Sequence, residues 1–412
     1  MKNFSFLFFA ILLSIPYFPR LDSIDIIGTQ WLVLSIFLLI FLPMFLFHKV
    51  QLFDHLKNLF SSIPIKIFLI FLIFVFISIL FSKNINLSLV DFSRILITST
   101  TILFSTYYIK FIKIDVLLSL VSFSLVLDVF YLVLFPLYFV SSQGYSILEL
   151  PSIFNSSFLT GYAGNKNIMA TILAIKFPSF LYLYFSSKRY ILYIPVFILF
   201  FAIIFLIKAR AVYLSLFIIT LFSLLFYFRF YYKKSFYLII SLFFSYFLHL
   251  TFLGQSISNN DFLTEASSIK LSAESSSHRF LLWDNALNYI LNNPFIGCGI
   301  GNWKIESAPY WKTHLSDFIV PYHAHNDFLE LSTETGIIGG MVYFFLFIYI
   351  LYKSFKHSLN FSKFYFIIFS FFIIYFIDSF LNFPIERTVM QIYFALFFAF
   401  YISISSKPDH VE

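Results

Sequence analysis

Tyr190-Ile191-Leu192-Tyr193-Ile194-Pro195-Val196-Phe197-Ile198-Leu199-Phe200-Phe201-Ala202-Ile203-Ile204-Phe205-Leu206-Ile207 runs for eighteen residues without a charge, and Lys208-Ala209-Arg210 ends it. As a helix it would be about 27 Å long, close to the roughly 30 Å of hydrocarbon in a bilayer. Further apolar runs lie at 4–19, 26–47, 64–81, 90–109, 114–140, 166–185, 211–228, 235–254, 327–351, 364–381 and 385–404, which makes twelve candidate spans. Hydrophobic residues make up 60% of the chain, with 64 Phe and 27 Tyr against 11% charged residues. Soluble domains stay nearer about 45–50% apolar, so lipid is the solvent here. Lipid admits helices or closed barrels, and runs this long without alternation are helices. The expected fold is therefore all-α: one polytopic membrane domain over 1–412, of about twelve transmembrane helices. The first run is read as a span rather than a signal peptide. No small-residue cleavage site follows it, and Pro16-Tyr17-Phe18-Pro19 reads as a helix end.

Basic residues in the short connections set the orientation. With Lys2 inside, the cytoplasmic turns carry Lys49 and Lys57, Lys110 and Lys113, Lys188 and Arg189, Arg229 with Lys233 and Lys234, then Lys353, Lys356 and Lys363. The opposite face receives the 141–165 loop, the long 255–326 loop and the short connection holding Asp378, Asn382, Pro384, Glu386 and Arg387. The formal net charge of +7 is mostly this topogenic charge, so no nucleic-acid partner is inferred. The single Cys298 excludes a disulfide framework and a thiolate metal cluster.

Within the long loop, 255–277 is rich in Ser, Asn and Ala. Arg279, Phe280, Leu282, Trp283, Ala286, Leu287 and Ile290 then recur at helical spacing, predicting a short amphipathic helix along the interface. Asn292-Asn293-Pro294 ends it, and Gly297, Gly299 and Gly301 suit a turn of close backbone approach. The whole 255–326 segment is expected to form a lid. On the same face, Gly161-Tyr162-Ala163-Gly164-Asn165-Lys166-Asn167 feeds a helix that begins near Lys166.

Arginine in a membrane protein usually faces a cavity, a partner or a substrate. Lys208 and Arg210 sit on the face that the positive-inside rule leaves poor in basic residues, as do Arg94, Lys166, Arg279 and Arg387. Salt bridges compete with ligand binding: Arg94 with Asp91, the better reading there, Arg279 with Glu274, and Arg387 with Glu386 or Asp378. Arg210 has no acidic neighbour in sequence, and an anionic ligand is the expected reason for it.

His323-Ala324-His325-Asn326-Asp327-Phe328-Leu329-Glu330 gathers the densest chemistry. Two histidines at i and i+2 do not share a helical face, and His278 and His314 are the other external candidates, so a metal site is not expected. A neutral imidazole suits proton removal from a hydroxyl. Asp327 and Glu330 are within reach to orient such a ring; the competing reading is that His325 caps or packs the next span. No P-loop or dinucleotide fingerprint is present, so the energy of any reaction comes with the substrate.

These blocks resemble the bacterial O-antigen ligase and O-antigen polymerase superfamily of polytopic membrane glycosyltransferases. The resemblance rests on Arg279-Phe280-Leu281-Leu282-Trp283, on Asn293-Pro294-Phe295-Ile296-Gly297-Cys298-Gly299-Ile300-Gly301, on 323–330, and on Glu334-Thr335-Gly336-Ile337-Ile338-Gly339. Gly161 to Asn167 and Arg210-Ala211 match weaker signatures. The resemblance implies inverting glycosyl transfer from an undecaprenyl-diphosphate-linked glycan, at the periplasmic face of the bacterial inner membrane, to a lipid A core or to a second lipid-linked glycan. It implies no cofactor and no metal. Arg210 and Arg279 would bind the donor diphosphate, joined by Lys166 and Arg387. His325 would activate the acceptor hydroxyl, with His323, Asn326, Asp327, Glu330 and Trp283 in support. His323 occupies a more variable place in the family, and Lys208 stands where many relatives carry a small or polar residue. The rivals are a lipid-linked glycan transporter, for which Lys176 is the main mid-span basic residue, and a metal-dependent transferase using Asp317, Asp327 and Glu330.

Overall fold

The computed structural model describes residues 1–19, 26–47, 49–145, 156–250, 279–311, 322–360 and 362–406. Glu274, His278, His314 and Asp317 lie outside them. The long helices are α1 Lys2–Ser14, α2 Ile26–Phe47, α3 Lys49–Ser61, α4 Ile63–Ile79 and α5 Ile85–Tyr108. They continue with α6 Ile114–Ser142, α7 Lys166–Ser186, α8 Ile194–Ile207, α9 Arg210–Leu248 and α10 Arg279–Asn292, then α11 Asp327–Ser358, α12 Lys363–Leu381 and α13 Thr388–Ser405. The described parts of all twelve apolar runs fall largely on helices, and no strand occurs among the described residues. Leu39, Phe217 and Leu225 are more than 60% exposed, a surface that only lipid tolerates.

Eight helices are long and apolar enough to cross a membrane, or nine if the bent pair Leu52–Ser61 and Ile63–Ile79 counts as one. The expected twelve differ for local reasons. At 13 residues α1 rises only about 20 Å. The run 211–228 and the run that begins at 235 share one helix, α9, which ends at Leu248 and is kinked at Tyr231. At its kink Lys234 Nζ donates to the carbonyls of Phe185 (2.7 Å) and Ser187 (2.8 Å), so it caps α7. Two turns that the charge pattern assigns to one face thus lie together. A further difference is α3, which meets α4 at 84°. It buries His55 and Leu59 and exposes Phe53 and Phe60, the form of an interfacial helix.

The chain divides into two compact units. The first comprises 1–8, 27–111 and 270–412. Its central helix is α13, nearly all buried, and α11 packs against α4 and α12. Stacked rings fill the core, as in Phe347–Tyr375 (5.4 Å) and Phe371–Phe397 (4.1 Å). The second unit comprises 9–26 and 112–269, with α7 enclosed among its neighbours α6, α8 and α9. There Lys176 on α7 pairs with Asp128 on α6, both fully buried, and Tyr17 and Tyr162 donate their hydroxyls to the same carboxylate. The pair anchors the 161–163 turn to the middle of two spans. Asp128→Asn should lower stability by about 3–5 kcal/mol, because it strands the Lys176 ammonium. Thermal melts in detergent should find the double variant Asp128→Asn, Lys176→Met closer to wild type than the single one.

Candidate active site

An interrupted helix carries the site in the first unit. At Gly336 (φ +79°, ψ 162°) the backbone of α11 leaves the helix, which would orphan the carbonyls of Thr333 and Glu334. The glycine-rich turn after α10 replaces the missing donors: Cys298 N and Gly299 N each reach those carbonyls at 2.9 Å, while Ile337 N donates to Pro294 O at 2.9 Å. So close an approach excludes side chains. A Cβ on Gly297 would lie 2.5 Å from Thr333 O, and one on Gly336 would collide with Phe295 O. The Pro-x-x-Gly-x-Gly and Glu-Thr-Gly blocks are thus two halves of one joint, and their role is to hold the residues before α11. Gly336→Ala should cost on the order of 3 kcal/mol from strain and collision together, visible as a lower melting temperature.

Just before the joint, Asn326 caps α11 by accepting from Phe328 N and Leu329 N. His325 precedes it at φ +51°, a left-handed conformation that a non-glycine residue adopts only when its surroundings hold it there. Glu330 does much of this holding. Its carboxylate takes His323 Nδ1 at 2.8 Å and Ala324 N at 2.8 Å. Glu386 lies 3.7 Å from His323 Nε2 and 3.4 Å from Arg94, which also reaches Asp91 at 2.9 Å. Burial opposes charge on His323, but Glu330 and Glu386 outweigh it and raise its pKa to about 9.

His325 stands in the opposite state. Burial, then the charges of Arg279, His323 and Arg387, pull its pKa down to about 4, so it is a neutral imidazole at neutral pH. Its Nδ1 is buried and makes no hydrogen bond. The orienting role expected of Asp327 and Glu330 therefore does not fall on His325. Glu330 serves His323, and Asp327 accepts from Ile385 N at 3.2 Å. Phe383 instead sets the rings: it stacks on His323 (4.1 Å), meets the edge of His325 (5.1 Å) and lies under the Arg387 guanidinium (4.5 Å). Arg387 is buried and faces Asp378 at 3.7 Å rather than Glu386. Trp283, with a buried Nε1 that has no hydrogen-bond partner, packs edge-on against Phe280. Nothing in the residue pattern marks Phe383, one of 64 Phe. Lys304, 3.6 Å from Asp91, also went unmarked.

Lys166 and Arg210 belong to the second unit. Lys166 is the first residue of α7, behind the Asn165 cap. Arg210 is the exposed first residue of α9, after Lys208, which ends α8 at φ +58°. Lys208 thus stands at the negative end of the α8 dipole, where a cation is favoured, and Arg210 at the positive end of α9, where an anion is favoured. Beside that turn, α8 and α9 border an open cavity of about 630 Å³ lined by Phe201, Phe205, Tyr213, Phe217 and other apolar groups.

Residues 195–344 match a family described as O-antigen ligase. A Rickettsia conorii protein provisionally named a polysaccharide ligase is 32% identical over 95 residues, 21% of this chain and 21% of its own length. A provisionally named polysaccharide ligase of Rickettsia typhi is 30% identical over 125 residues, 28% of this chain and 29% of its own. The aligned stretches thus span under a third of either relative. The match over residues 195–344 is to the superfamily that the sequence blocks resemble.

Proposed function

We propose that this chain is an inverting glycosyltransferase that moves a glycan from undecaprenyl diphosphate to a hydroxyl of a lipid A core or similar acceptor, at the periplasmic face of the inner membrane. The observation that carries the reading is His325: a neutral imidazole on a strained turn, subject to the charges of Arg279 and Arg387. In the reaction the acceptor hydroxyl gives its proton to His325 as its oxygen attacks the anomeric carbon. The bond to the diphosphate breaks on the opposite side, and the configuration inverts. Arg279 and Arg210 stabilise charge on the departing diphosphate, which acts on the barrier rather than on binding alone. Bound diphosphate would also offset the cations beside His325 and strengthen it as a base. The apolar cavity beside the Arg210 turn has the chemistry to hold a prenyl chain. Transport fits less well, because Lys176 is committed to Asp128.

Purified protein given undecaprenyl-diphosphate glycan should modify an added lipid A core once per acceptor. A ladder of lengthening lipid-linked chains would establish a repeat-unit polymerase instead. Movement of lipid across vesicles with neither acceptor modified would leave transport.

A further inference from the structure

The family resemblance gives His323 no fixed role, yet it is the most heavily engaged residue of its block. One of its ring nitrogens and one carboxylate oxygen each from Glu330 and Glu386 all lie within 4.8 Å of one another. The three residues come from three places in the first unit: the 322–325 turn, the first turn of α11, and the short helix Pro384–Glu386. Phe383 stacks on the imidazole and fixes its plane. Glu330 keeps its second oxygen on Ala324 N, which fixes the carboxylate as well.

A water-sized cavity of about 30 Å³ adjoins this trio. Asp91, Asp327, Glu330, Glu334 and Glu386 all line it, against Arg94 as the lining cation. Arg94 serves Asp91 and Glu386, Lys304 serves Asp91, and His323 when protonated serves Glu330 and Glu386. Asp327 is fully buried, and its Oδ1 has no hydrogen-bond partner. Buried carboxylates left in that state are costly unless a cation or proton joins them.

We propose that His323, Glu330 and Glu386 bind a divalent transition-metal ion of the Zn²⁺ or Mn²⁺ class, with water from the adjoining cavity completing its coordination. One imidazole nitrogen with two carboxylate oxygens suits such ions better than Mg²⁺ or Ca²⁺, which favour oxygen alone. The ion binds the block before α11 to the short helix before α13. The inference does not depend on the transferase reading.

The test is binding to the full chain in detergent, stripped with chelator and titrated with Mn²⁺ while the free-ion paramagnetic resonance signal is followed. Saturation at one ion per chain is expected, displaced by Zn²⁺ but not by equimolar Ca²⁺. Co²⁺ should give visible ligand-field bands in the wild-type protein, a readout that needs no variant. His323→Gln and Glu386→Gln, checked for helical content and monodisperse elution, should each weaken binding by about 100-fold or more. No saturable binding to wild type would overturn the proposal and leave an imidazolium ion pair only. Binding unchanged in both variants, or equal displacement by Ca²⁺, would overturn it too.

Discussion

His325→Ala should lower turnover by a factor on the order of 10²–10⁴ while leaving donor affinity close to wild type, as expected when a general base is removed. Backbone strain complicates that result, since alanine at φ +51° retains the unfavourable conformation and loses the packing against Phe383. His325→Asn separates the two effects. Asparagine tolerates the left-handed region, so the turn keeps its shape without a base of useful strength. Equal losses in the two variants would assign the effect to proton transfer. Recovery in the asparagine variant would assign it to the turn, and full activity in both would reject His325 as the base.

Arg210→Ala should weaken donor binding and turnover together, each by tenfold or more if about 1.5–3 kcal/mol of charge-assisted hydrogen bonding is lost. Lysine should restore only part, because an ammonium does not reproduce the flat two-pronged guanidinium. Single-turnover rates and donor titration on the same preparations separate the two quantities. A larger fall in turnover than in affinity would mean that Arg210 acts mostly on the departing charge. Unchanged values for both would remove Arg210 from the site.

The membrane spans were readable because lipid leaves a long apolar run one way to satisfy its backbone, and among the described residues each run lies mainly on a helix. Helix count was less readable: Lys233 and Lys234 mark a turn by charge, yet α9 passes them with a kink. Ionisable groups of the site stood out against so few charges, and the Arg94–Asp91 and Arg387–Asp378 pairs follow from residue type and proximity. Which acid serves which histidine did not follow. Spacing allows Glu330 to reach either ring, and the left-handed turn at His325 decides for His323. Phe383 was hidden for a different reason: an aromatic ring that organises a site looks no different in sequence from one that faces lipid.

The break in α11 bears on how the chain is made. Pro294, Cys298 and Gly299 leave the ribosome before the carbonyls and amide they serve, so the sealing turn must wait beside the bilayer until the span arrives. Until they meet, two carbonyls and one amide lack partners, each costing several kcal/mol where lipid surrounds them. A chain stalled at that stage would hold an incomplete span that membrane-bound quality control could recognise. Substitutions at Gly297 or Gly336 should therefore reduce the amount of protein accumulated before they alter the chemistry of what remains.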